Sequence, residues 1–119
     1  MDVLELRGQL SELLGYKEPT GTTQGGCVFI DVSPENENLE MVLIRVGMDS
    51  ILEGYLKKRK KLGYNGVINL SNMEEKEMLR RSVEDFFIDV SDALIHPELA
   101  NVVLERKNAF LDAVNKLAV

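Results

Sequence analysis

Apolar residues recur along this chain at changing intervals, and the changes divide it into elements. Between Asp2 and Gly15, Val3, Leu6, Leu10, Leu13 and Leu14 fall at the three-to-four spacing of one helical face. Asp2 is placed to cap that helix and to complement its dipole, and Gly15 to end it. The stripe is narrow and leucine-rich, which predicts packing onto a core. From Tyr16 to Gly26 the periodicity disappears, with Pro19, Gly21, Gly25 and Gly26 standing among Thr20, Thr22, Thr23 and Gln24. That composition predicts a loop.

Two apolar runs follow, residues 27–32 and 39–46, flanking the turn-like Ser-Pro-Glu-Asn-Glu-Asn of residues 33–38. They predict an antiparallel β-hairpin. In the first run Val28, Ile30 and Val32 alternate with Cys27, Phe29 and Asp31. In the second, Val42, Ile44 and Val46 alternate with Leu39, Met41, Leu43 and Arg45. Neither face is clearly polar, so such a hairpin would have to be covered twice, by helices or by another subunit. A homodimer is the expectation that follows.

Past Gly47, Asp49 or Ser50 can cap a helix running to Leu62 and ending at Gly63, with Ile51, Leu52, Tyr55, Leu56 and Leu62 as its buried face. Gly54 inside it costs about 1 kcal/mol relative to alanine, which suggests close approach to a neighbour. Val67-Ile68-Asn69-Leu70 supplies a third strand, completing a strand-helix-strand unit whose crossover would be right-handed. Ser71 with Glu74 fits a capping box opening a long helix, on which Leu79, Val83, Phe86, Phe87, Val90 and Leu94 keep a clear period. Pro97 breaks the chain. Leu99, Val102, Val103, Phe110, Val114 and Leu117 then predict a closing helix antiparallel to its predecessor, with Arg106 and Asn108 near the middle of its stripe leaving it partly buried. The predicted fold class is therefore α/β: one domain over residues 1–119, a small sandwich in the order helix-strand-strand-helix-strand-helix-helix.

Composition narrows what this domain can do. At 45% apolar and 29% charged residues it has the balance of a globular protein, and 119 residues suffice for one core. The formal net charge of -6 disfavours non-specific attraction to nucleic acid or anionic membrane. No run approaches the roughly 18 to 20 apolar residues that cross a bilayer, and no basic segment leads into an apolar one at the N-terminus. One cysteine allows neither an internal disulfide nor a cysteine-based zinc site, so a reducing cytoplasm is the expected compartment.

Four groups carry candidate chemistry. Lys57, Lys58, Arg59, Lys60 and Lys61 could hold a phosphate chain, nucleic acid or an acidic protein, although five successive residues spread around a helix and cations suit a helix C-terminus anyway. Cys27 and His96 are the only possible thiol-imidazole pair, with Asp31 or Asp92 to orient the ring. Asp85, Asp89 and Asp92 lie along one helical side, as a magnesium or calcium site would need, but a solvated face has the same pattern. The loop from Thr20 to Gly26 offers hydroxyls and close backbone approach to an anion, at a spacing that matches neither the P-loop nor the dinucleotide fingerprint. No set of nucleophile, base and orienting group converges, and no cofactor is implied. The expected function is a non-enzymatic cytosolic protein-interaction module. A ligand-binding or catalytic domain using the loop at residues 20–26, or nucleic-acid binding through the basic cluster, are the alternatives.

Overall fold

The structure is a computed structural model that describes residues 1–16 and 39–117, with side chains from residue 42 onward in the second stretch. These residues form four α-helices, α1 (Val3–Leu13), α2 (Leu39–Lys61), α3 (Met73–Asp92) and α4 (Ala100–Lys116), with a short 3-10 turn at Pro97–Leu99 leading into α4. Among the described residues there is no strand, so the expected α/β sandwich is replaced by an all-helical fold.

The correction turns on residues 39–46. Half of the expected hairpin lies in α2, which runs unbroken for 23 residues; the run at residues 27–32 and its turn lie outside the described residues. Both alternating faces were apolar because the run follows another period. Leu43, Ile44, Met48, Ile51, Leu52 and Tyr55 are all buried, at intervals that keep one broad helical stripe inward. A short apolar run cannot distinguish the two periods on its own. Gly47, expected to precede the helix, instead lies within it. A Cβ built there would come within 3.0 Å of Phe86 Cε2 and 3.4 Å of Phe110 Cζ, so its missing side chain is what brings three helices together.

The expected third strand, residues 67–70, is irregular backbone. Ile68 and Leu70 point inward and Val67 outward, as a strand pattern demands. The backbone partner, however, is the N-terminus: Ile68 N–H donates to Met1 O at 2.9 Å and the Met1 amino group donates to Ile68 O at 2.9 Å. Two bonds to one residue make no ladder.

Helix ends follow local chemistry. The Asp2 carboxylate accepts from Glu5 N at 2.8 Å and caps α1. Gly15 and Gly63, at φ 67° and 81°, sit just past α1 and α2. Beyond each glycine the next amide reaches back five residues, Tyr16 N to Ser11 O at 2.8 Å and Tyr64 N to Arg59 O at 2.9 Å, the Schellman pattern that needs a left-handed residue. The cap of α3 is Asn72, whose side-chain oxygen accepts from Glu74 N at 2.8 Å, one residue later than the expected Ser71.

α2 and α3 are antiparallel, since Gly54 lies against Ser82 while Arg59 pairs with Glu75. α3 and α4 are antiparallel too, as expected, because Lys76 near the start of α3 donates to Asn115 O near the end of α4 at 3.0 Å. The core lies where they meet. Phe87 stacks edge-on against Phe86, with centroids 5.0 Å apart, and tilts against Phe110 at 5.6 Å, while α1 adds Leu6 and Leu10. Leu56 and Leu62, expected on the buried face of α2, are both exposed.

Candidate functional site

The basic cluster at the end of α2 does not act as one patch. Arg59 is only 7% exposed, and its Nε donates to Glu75 Oε1 at 2.6 Å. Lys57 pairs with Glu53 at 3.1 Å one helical turn back, and Lys58 reaches across to Asp85 on α3 at 2.8 Å. Lys60 and Lys61 extend into solvent. Three of the five cations thus already face carboxylates of the same chain, which weakens the field they could present to a polyanion.

Arg59 instead organises the turn between α2 and α3. Its guanidinium nitrogens approach Gly66 O and Val67 O at 3.4 Å, while the second oxygen of Glu75 accepts from Asn69 N at 2.8 Å. Glu75 is 2% exposed. One buried ion pair therefore ties both helices to the segment joining them. Tyr55 lies below, with the guanidinium 5.9 Å from its ring centroid. Its hydroxyl meets no partner at hydrogen-bond geometry. Burial, with the nearby Glu75 charge, pushes its ionisation well above the usual tyrosine range. Tyr64 is also shifted upward, because its hydroxyl donates to Glu74.

The other candidates do not converge. Cys27, Asp31 and the loop at residues 20–26 lie outside the described residues. His96 sits before the 3-10 turn with Nδ1 at 3.6 Å from Glu98 Oε1. Asp85, Asp89 and Asp92 are exposed on α3, and among the described residues no three acidic, histidine or cysteine side chains gather where a metal ion could be held.

What the structure adds is a groove of about 770 Å³ between the last turns of α2 and the first turns of α3. Leu62, Met73 and Met78 line it, with Lys58 and Lys61 on the α2 side and Glu74, Glu77 and Arg81 on the α3 side. Leu62 is 65% exposed and Met73 85% exposed. The buried Arg59–Glu75 pair joins the two helices that form the walls. No known protein family, characterised protein or solved structure matches this chain.

Sequence reasoning missed the groove. Leu62 sits on the helical period but beyond the last residue that a neighbouring helix covers. Met73 belongs to no stripe, and an apolar residue off the periodic face at a helix start was the one available signal.

Proposed function

We propose that this chain is a non-enzymatic protein-interaction module whose contact surface is the groove between α2 and α3. The observation that carries this is that Leu62 and Met73, two large apolar side chains left in solvent, line one concavity. Exposed apolar surface gathered in one place and rimmed by charge is the usual composition of a protein contact: the apolar centre supplies affinity and the charged rim orientation. Methionine suits such a surface because its unbranched side chain adapts to a partner. No helix of the described residues is long and apolar enough to cross a membrane. We place the module in the cytoplasm, the compartment that suits a chain with one cysteine.

The test is photo-crosslinking in cells that make the protein, with a benzophenone amino acid in place of Met73 and a control at Glu105, an exposed residue on α4. A discrete protein adduct from position 73 and none from position 105 is the expected result. Equal or absent crosslinking at both positions would remove the groove as a contact surface.

A further inference from the structure

We infer that the occupant of this groove is a second copy of the same chain, an inference that rests on the groove being a protein contact. The distribution of charge across it supports this choice. The α2 wall is basic, with Lys58 and Lys61, whereas the α3 wall begins with Glu74 and Glu77 and carries Arg81, paired to Glu77, one turn further on. Lys58 is paired with Asp85 and Glu77 with Arg81, which leaves Lys61 on the α2 wall and Glu74, accepting from the Tyr64 hydroxyl, on the α3 wall as the lining charges outside these ion pairs.

Consider a two-fold axis running along the groove in the plane of contact. It carries the α2 wall of one copy over the α3 wall of the other, twice by symmetry, so that Lys61 faces Glu74 of the second copy and Glu74 faces its Lys61. Because α2 and α3 are antiparallel and Arg59 lies level with Glu75, Lys61 and Glu74 are at similar heights along the groove, and the opposed charges meet without a slide. An axis across the groove would set α2 on α2 and like charge on like, which disfavours it. The same rotation along the groove sets Leu62 of each copy over Met73 of the other and removes both from water. A strongly acidic or strongly basic partner would satisfy one wall and oppose the other. A second copy satisfies both.

The full chain is tested by sedimentation equilibrium from low micromolar to millimolar concentration, as wild type and as Lys61→Glu and Glu74→Lys. Wild type should approach twice the 13.4 kDa monomer mass as concentration rises. Each charge reversal places two like-charge contacts in the homodimer and should weaken association at least about tenfold, while an equal mixture of the two variants should recover it, since both contacts of the mixed dimer are again opposite in sign. Circular dichroism establishes that each variant is folded. Met73→Glu, at a side chain 85% exposed, provides a further variant that leaves the core untouched and should be monomeric. A monomer at every concentration overturns the inference, as does a dimer that ignores these substitutions or a mixture that fails to recover association. The crosslinking experiment separates this failure from failure of the groove itself, because an adduct between position 73 and a different protein retains the interaction surface and rejects only self-association.

Discussion

Replacing Glu75 with glutamine tests whether the buried pair with Arg59 holds the α2–α3 corner together. The substitution keeps the shape of the side chain and removes its charge, leaving a guanidinium whose side chain is 8% exposed without a counter-ion. Solvent cannot make good the loss at that depth, and removing one partner of a buried ion pair costs about 3 to 5 kcal/mol. Against a typical domain stability of about 5 to 15 kcal/mol this is a large share. The chain has no tryptophan, so urea unfolding is followed by far-UV circular dichroism. With a slope near 2 kcal/mol per molar for a chain of this size, the midpoint should fall by roughly 2 M. Arg59→Met should cost a similar amount, because it strands Glu75. The double variant Arg59→Met with Glu75→Leu removes both charges and fills the space, so its cost should be far below the sum of the two. Single costs under about 1 kcal/mol, or a double cost equal to the sum, would mean that the pair is neither desolvated nor coupled.

The two glycines of α2 should respond differently to an added side chain. At Gly54 the new Cβ meets Ser82 only at 3.8 Å or beyond, so helix propensity decides and Gly54→Ala should stabilise by about 0.5 to 1 kcal/mol in the same assay. At Gly47 the 3.0 Å approach to Phe86 removes that gain, and a larger side chain such as leucine should cost about 1 to 3 kcal/mol by overpacking; a stabilising Gly47→Leu would contradict the three-helix contact. Alkaline pH tests Tyr55. Its ionisation is raised in the folded chain above the ordinary value of 10.0, so its contribution is fully present below that pH and is lost as pH rises further, since the unfolded chain gives up the proton first. Stability should therefore fall above about pH 10 by up to roughly 1.4 kcal/mol per pH unit for this group. Tyr55→Phe should flatten that slope while costing little at neutral pH, because the hydroxyl it removes makes no well-formed hydrogen bond. An unchanged alkaline slope in the variant would exclude Tyr55 as its source.

Local chemistry was enough to place both ends of α1, the end of α2, the break before α4 and the most regular helix, but not the start of α2. Asp2, Gly15, Gly63 and Pro97 act within one or two turns of themselves, through a cap, a left-handed residue or a missing amide, and no distant contact can change those requirements. The stripe of α3 is separated by polar residues on every turn, so only one period fits it. Residues 39–46 had no such punctuation. With apolar side chains at nearly every position, strand and helix leave the same composition, and what decides between them is whether a neighbour offers a groove for a helix. Phe86 and Phe110, some 40 to 60 residues away along the chain, do so by closing on Gly47, so a residue read as a boundary became a contact. Ile68 and Leu70 kept the inward alternation of a strand, but among the described residues the pairing is confined to Ile68, which exchanges both its backbone bonds with Met1.

The same division separates the charges. Sequence placed five cations at the end of one helix, in an order that says nothing about which of them face carboxylates. Only packing turned Arg59 inward onto Glu75, Lys58 across to Asp85 and Lys61 out to the groove. Capping and turn formation are settled by neighbours along the chain and are therefore written in its order. Burial, ion pairing and exposed apolar surface depend on which helices meet, and that is fixed only when the whole core closes.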